Sequence, residues 1–234
     1  MNRRSTLTLL ACVLALVPAC VLADAKLSGQ PTSAEKPFIS EITTGLNARF
    51  GSPDAATKAG YMRYTNEDET GAISYANRRW TSADAEHPSQ LWYDVKGNLL
   101  GADYSVPYDA AHRPTKFNID PSRWEKFGMH DHYGLAGPNG TTIYGATSPK
   151  KLTAIGANPD SPTPADLVKL GIAKNANDVR FVWVFPAIWD VSIWVDGNPS
   201  GPFAEKNPTS NRSIRLRATT TRCRGYWPSY SLDQ

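Results

Sequence analysis

Two histidines separated by one residue, His130 and His132, are the side chains of this sequence best placed to hold a metal ion. Alternate residues of a β-strand share one face and lie about 6.6 Å apart at Cα, so two such imidazoles can reach one ion. Neutral imidazole is a common metal ligand. The pattern indicates a site for one divalent transition metal. The alternative is that both histidines belong to a polar sheet face.

A metal site on this pair needs further ligands, because two imidazoles leave coordination positions of the ion to be filled. The sequence offers three candidates for the third position, which are Glu125, Asp103 and His112. Spacing does not select among them, and Glu125 is taken as the possible third ligand.

The turn that follows the histidines predicts what surrounds them. Asn139-Gly140 is typical of a two-residue hairpin turn, because both residues tolerate a positive φ. That turn would pair His132 with Thr147 and Gly134 with Gly145, and directly opposed residues share a face. We therefore expect small groups, and open space, beside the imidazoles.

Two acidic features offer other sites. If Asp190 is buried, the pKa of its carboxyl group would rise and it could act as an acid, but the preference of Asp for turns favours a strand end. The acidic run 67–69 has oxygen ligands for calcium without the spacing of an EF-hand, which favours a solvated loop. The sequence lacks serine-nucleophile motifs and phosphate-binding glycine loops, which argues against nucleotide chemistry.

Aromatic residues are abundant, with 7 tryptophans and 10 tyrosines in 234 residues. Most aromatic side chains of a domain this size pack in its core, but exposed ones stack on sugars and other flat ligands. The composition is therefore compatible with a small-molecule or glycan partner.

The segments that must position these residues are mostly strands. Apolar residues at 39, 42, 46 and 50 predict one amphipathic helix, which Gly51-Ser52-Pro53 ends. Apolar alternation and turn residues predict strands at 61–65, 72–80, 90–94, 98–106, 127–136, 141–147, 180–188, 191–195 and 214–218.

Short helices complete the predicted architecture. Ser52, Ser148 and Thr163 each precede a proline, which predicts three capped helices. Bulky residues on both faces of 180–188 predict a central strand that is covered on both sides. Together these features predict an α+β fold, with a largely antiparallel β-sheet built from hairpins and short peripheral helices.

The N-terminus has the three parts of a secretory signal peptide. Arg3 and Arg4 precede an apolar run, and Val21-Leu22-Ala23 provides a cleavage site before Asp24. We predict export to the periplasm or the extracellular space, with lipid attachment at Cys20 as the alternative. No segment is long and apolar enough to predict a transmembrane helix.

Cleavage there divides the chain into a signal peptide over 1–23, a flexible leader over 24–37 and one globular domain over 38–234. The whole chain carries a net charge of +3, part of which leaves with the signal peptide, and this argues against a nucleic-acid partner. Cys223 would be the only cysteine left, so an intramolecular disulfide is excluded and the fold depends on its apolar core.

Three functions remain open from the sequence. The first is an exported domain that binds a small molecule or glycan. The second is a metal-dependent enzyme that uses the pair His130 and His132. The third is a secreted interaction protein without a small-molecule site. A pocket lined by polar and aromatic residues would favour the first.

Overall fold

The computed structural model describes residues 28–210, which form an α+β fold of two antiparallel sheets with a few short helices. The predicted fold class is confirmed. The predicted signal peptide, Cys20, Cys223 and the strand predicted at 214–218 lie outside the described residues. None of the helices between residues 28 and 210 has the length and apolar character that crossing a membrane requires.

Most of the helices and strands agree with the predicted segments, but the strand over residues 125–127 was not predicted separately. The helices are α1 (Lys36–Phe50), α2 (Pro53–Lys58), α3 (Pro149–Ala154) and α4 (Pro164–Lys169). The strands are β1 (Tyr61–Arg63), β2 (Ile73–Asn77), β3 (Gln90–Tyr93), β4 (Leu99–Pro107), β5 (Glu125–Phe127), β6 (His130–Ala136), β7 (Thr142–Thr147), β8 (Val179–Phe185) and β9 (Ile188–Trp194). The larger sheet has the order β1-β2-β3-β4-β9-β5, and the smaller sheet has the order β7-β6-β8.

The main core lies between α1 and one face of the larger sheet. Helix α1 buries Phe38, Ile42, Leu46 and Phe50, which follow the helical period. Alternate residues of β3, β4 and β9 face this helix and form one apolar cluster with it. Because strand side chains alternate between faces, the intervening residues of these strands point to the other side of the sheet.

The three predicted helix caps are confirmed. The side chains of Ser52, Ser148 and Thr163 each accept a hydrogen bond from a backbone N–H in the first turn of α2, α3 and α4. A proline follows each capping residue. The N–H group at this first helical position has no partner within the helix, so proline, which lacks an N–H group, is tolerated there. These helices begin at the predicted places because their start signals are local.

The smaller sheet packs over the second face of the larger one through a cluster of aromatic residues. Tyr64 and Trp80, from the β1–β2 region, contact Trp183 and Phe185 of β8. Trp80 is almost fully buried there, with 6% of its surface exposed. This cluster joins the two sheets and sets the distance between them.

Strand β8 does not have the central position predicted for 180–188. Among residues 28–210 it pairs only with β6 and forms one edge of the smaller sheet. Trp183 and Phe185 contact aromatic residues packed on the larger sheet, which accounts for the bulky residues on one face of β8. Bulky residues on both faces of a strand therefore do not by themselves show that it is central.

The hairpin of β6 and β7 has a different register from the predicted one. Gly137 and Thr141 close a three-residue loop in which Asn139 has a φ of 54°. The register is therefore shifted by one residue, with His132 opposite Ala146 and Gly145 opposite Tyr133. A one-residue shift moves every side chain of β7 to the other face.

The open space predicted beside the histidines does not lie at Gly134 and Gly145. A Cβ atom at Gly134 would lie 2.4 Å from the Phe181 ring, and one at Gly145 would lie 2.4 Å from the Tyr133 hydroxyl. At both glycines an aromatic side chain comes close to the backbone. The expectation of room at these glycines is wrong, because aromatic rings fill it.

The described part of the predicted leader contacts the domain. Arg123 donates hydrogen bonds to the carbonyl oxygens of Ser28 and Gln30 and forms a buried ion pair with Glu35. Helix α1 begins at Lys36, so the predicted boundary between 37 and 38 falls inside a helix.

Candidate functional site

A cleft of about 440 Å³ is lined by residues of both sheets. Strands β2, β3, β4 and β9 contribute the face that points away from α1, which we call the floor, and β6 and β8 contribute a wall. The volume falls in the range of small-molecule sites. Acidic, amide, hydroxyl and aromatic side chains are combined in its lining.

Two buried carboxyl groups lie side by side in the floor. Asp103 of β4 and Asp190 of β9 expose 5% and 3% of their surface. The strand register places Asp103 opposite Ser192 and Ser105 opposite Asp190. Opposed residues share a face, so the two carboxyl groups are diagonal neighbours. They are hydrogen-bonded to each other.

Neighbouring donors hold these carboxyl groups in place. The indole Nε1 of Trp92 donates to Asp103 at 2.9 Å, and the hydroxyl of Ser192 donates to it at 2.7 Å. The hydroxyl of Ser105 donates to Asp190. Because each carboxyl group has fixed partners, the floor keeps its geometry without a ligand.

The pair holds at least one proton at neutral pH. Burial raises the pKa of Asp103 to about 7, although hydrogen bonds from Ser192, Trp92 and Asp190 act in the opposite direction. Burial and the nearby Asp103 raise the pKa of Asp190 well above its ordinary range. Two carboxyl groups this close cannot both ionise readily, so Asp190 keeps the proton and donates it to Asp103.

The expectation that Asp190 lies at a strand end is wrong. Asp190 lies inside β9 and not at a strand end, because the pairing of β9 with β4 and β5 overrides the turn preference of Asp. Asp103 was considered only as a third metal ligand. The sequence of β4 did contain a signal for a polar site. Two polar residues, Asp103 and Ser105, occupy alternate positions of a strand whose other residues are apolar.

Two more residues of the cleft lining, Gln90 and Tyr64, were not predicted from the sequence. Gln90 of β3 is buried, and the hydroxyl of Tyr64 donates a hydrogen bond to its side-chain oxygen. Burial raises the pKa of Tyr64 well above its ordinary value, so the hydroxyl stays protonated. The amide nitrogen of Gln90 adds a donor beside the carboxyl pair.

Aromatic rings border the floor. Trp92 and Trp194 pack edge to face, with ring centroids 5.4 Å apart. Trp92 lies across β4 at Gly101, where a Cβ atom would come 2.7 Å from the indole ring. Gly101 therefore allows the indole to reach Asp103. Phe127 and Phe203 also line the cleft.

The two histidines line the same cleft from β6. Their Nε2 atoms are 3.0 Å apart. His130 stacks on Phe185 with ring centroids 4.4 Å apart, and His132 meets the Tyr64 ring at 4.6 Å. Burial lowers the pKa of both rings, and for His132 the adjacent His130 adds to the effect and brings the value to about 3. Both imidazoles are therefore neutral at pH 7.

The three candidate third ligands are in different places. Glu125 lies on β5 opposite Asp190 and lines the cleft, as does Asp103. His112 is exposed and pairs with Asp109 at 2.9 Å, outside the cleft lining. Within residues 28–210, no group of three or more His, Cys, Asp or Glu side chains is arranged to hold a metal ion.

The acidic run 67–69 forms a turn beside the cleft. The Asp68 carboxylate accepts hydrogen bonds from the backbone N–H groups of Thr70 and Ala72 and from the Thr70 hydroxyl. This is the local bonding expected of Asp in a turn. Asp68 and Thr70 also line the cleft.

Asp131, between the two histidines, faces the opposite side of β6 and is fully buried. Neither of its carboxyl oxygens, nor the hydroxyl of Thr147 opposite it, has a hydrogen-bond partner in the described structure. Burial, with a contribution from Asp160, raises the pKa of Asp131 from 3.8 to about 6. The fold therefore disfavours the ionised form of this group.

We expect Asp131 to make the protein less stable as pH rises. The folded-state pKa is raised, so its penalty is absent below pH 3.8, grows towards pH 6 and is constant above. Urea unfolding of wild type and Asp131→Asn from pH 4 to pH 7 measures this pH dependence. Over this range, the free energy of unfolding of the variant should rise by about 2–3 kcal/mol relative to that of wild type. A pH-independent difference would show that the Asp131 carboxylate has a partner.

Comparison with known proteins gives no relative from which a role can be transferred. No family model, no curated protein and no solved structure matches this chain.

Proposed function

We propose that this chain is exported and binds a small polar molecule in the cleft between its two sheets. The observation that carries the proposal is the floor, where a hydrogen-bonded carboxyl pair, Asp103 and Asp190, lines a cavity of about 440 Å³. Buried polar groups that face a cavity of this size are the usual means of orienting a ligand. Export rests on the N-terminal sequence alone.

The chemistry of the lining favours a ligand with hydroxyl groups, such as a monosaccharide or disaccharide. A proton-sharing carboxyl pair offers an acceptor and a donor together, and each hydroxyl group is also both. Gln90 adds an amide to this floor. The rings of Trp92 and Trp194 provide apolar surface of the kind on which sugars stack. A cationic ligand would pair with only one ionised carboxyl group, because Asp190 keeps its proton.

The test is ligand-observed NMR on the purified protein with a panel of neutral monosaccharides and disaccharides, beside a panel of small amines. We expect at least one sugar to bind wild type. Asp103→Asn should weaken that binding at least tenfold, because one acceptor becomes a donor. Asp178→Asn, which changes an acidic residue outside the cleft lining, is the matched control and should bind like wild type.

The two panels also separate the ligand classes. Binding of amines without sugars would replace the proposed ligand class with a cationic one. Binding that survives in Asp103→Asn would show that the ligand does not use the carboxyl floor. A melting curve for each variant checks that the fold is kept.

A further inference from the structure

We infer that His130 and His132 form a two-imidazole site for a divalent transition metal, with Cu²⁺ preferred, on the wall of the cleft. The inference goes beyond small-molecule binding and does not depend on it. It rests on the convergence of two ring nitrogens, both Nε2, at a separation of 3.0 Å.

The separation of these nitrogens matches that of two ligands on one ion. Imidazole nitrogens lie about 2.0–2.1 Å from a bound transition metal, and two neighbouring ligands at that distance are roughly 3 Å apart. The observed distance of 3.0 Å between the two Nε2 atoms matches this separation. The rings therefore need little movement to share an ion.

The ring of His130 is oriented as a metal ligand would be. Its Nδ1 lies 2.9 Å from the carbonyl oxygen of Gly128. A carbonyl oxygen only accepts, so Nδ1 carries the proton and Nε2 presents its lone pair to His132. A backbone carbonyl that accepts a hydrogen bond from the other ring nitrogen is the usual companion of a metal-bound histidine.

The ring of His132 is held by its neighbours. It contacts the Tyr64 ring at 4.6 Å and the Phe185 ring at 5.9 Å, both measured between ring centroids. In the metal-free pair His132 donates its Nε2 proton to His130. A metal ion bound at Nε2 would require that proton to move to Nδ1 of His132, which keeps the ring neutral. Both rings are packed before binding, which keeps the ordering cost low.

The surroundings of the histidine pair favour a metal ion that keeps some coordination positions open to other ligands. Acidic side chains, Asp103 and Glu125 among them, line the same cleft. Because no third protein ligand is placed within the described residues, water or a polar ligand would fill the other positions. Among divalent first-row metals, Cu²⁺ binds a nitrogen site of this kind most tightly.

The experiment is a titration of metal-free, untagged protein with CuCl₂, followed by calorimetry and electron paramagnetic resonance. All samples carry Cys223→Ser, because a thiol would bind copper independently. The variants are His130→Gln and His132→Gln. The matched control is the double variant His87→Gln/His112→Gln, which removes the two histidines that are exposed and paired with aspartates.

We expect wild type and the control to bind one equivalent of Cu²⁺ with nitrogen hyperfine structure from two imidazoles. Each cleft variant should lose at least tenfold in affinity and keep one imidazole at most. Equal affinity in wild type and His130→Gln, or loss of binding in the control, would overturn the site. The titration contains no organic ligand, so its failure leaves the proposed function intact.

A second measurement covers variants that fail to fold. In wild-type protein, substoichiometric Cu²⁺ should broaden the NMR signals of the Tyr64 and Phe185 rings, which contact the histidine pair. The signals of His87 and His112 should persist under the same conditions. Broadening confined to those two exposed histidines would contradict the inference.

Discussion

Replacing Arg123 by Ala is expected to lower the free energy of unfolding by about 3–5 kcal/mol. The side chains of Arg123 and Glu35 expose only 5% and 1% of their surface. Arg123 Nε and Nη2 donate to the Glu35 carboxylate at 2.7 and 2.9 Å. Removing the guanidinium would leave a buried carboxylate without its partner cation, which is the costly outcome for an ion pair of this kind.

The charge state of Glu35 supports this expectation. Burial alone would raise its pKa, but hydrogen bonds from Arg123, Thr32 and Asp120 lower the value to about 2. The carboxylate is therefore ionised over the whole working pH range. Its folded-state pKa lies below the ordinary value, so this stabilisation is lost as pH falls towards 2.

Chemical denaturation of Arg123→Ala and of a matched control, Lys169→Ala, measures the effect. Lys169 pairs with Asp166 at 3.5 Å and is 60% exposed, so its removal should change stability by less than about 1 kcal/mol. An equally small change for Arg123→Ala would mean that Glu35 finds other partners. The segment 28–35 would then not depend on this ion pair.

Replacing Trp80 by Ala is expected to have the second large effect, a loss of about 3–5 kcal/mol in the free energy of unfolding. The Trp80 ring packs against Tyr64, Trp183 and Phe185 at centroid distances of 5.5, 5.8 and 4.5 Å. It is 6% exposed and joins the two sheets. Its removal would leave a cavity between them and weaken ligand binding in the cleft.

The comparison is Trp183→Ala, analysed by the same unfolding curves. The sequence predicts a loss of about 3–5 kcal/mol at Trp183 if that side chain is fully buried. The structure shows it half-buried, so the loss should be smaller than at Trp80. A larger loss at Trp183 would contradict the assignment of Trp80 as the main contact between the sheets.

Features with local causes were predictable from the sequence. Helix α1 follows from the spacing of its apolar residues, and α2, α3 and α4 follow from a capping residue before proline. The strands follow from apolar alternation between turn residues. Each of these signals lies within the element that it specifies.

The register of the β6–β7 hairpin shows how a small local choice changes a site. Asn139-Gly140 does form a turn with two positive φ angles, but Pro138 joins it in a three-residue loop. The extra loop residue shifts the pairing by one. The residues predicted to flank His132 therefore lie on the other face.

The carboxyl floor had no local signal. Asp103 and Asp190 meet only because β4 pairs with β9, two strands that are far apart in the chain. Non-local pairing of this kind does not follow from the periodicity of either strand. The histidine pair could be found from the sequence because both rings belong to one strand, whereas the carboxyl pair required the fold.

The NMR signals of the tryptophan indole N–H groups test the central claim most directly. The indole of Trp92 is hydrogen-bonded to Asp103 in the floor, and Trp194 lies beside it, whereas Trp124 is buried in the core formed with α1. If a sugar binds in the cleft, the signals of Trp92 and Trp194 should shift with saturation while that of Trp124 stays. Binding that leaves the Trp92 signal unchanged would contradict the account.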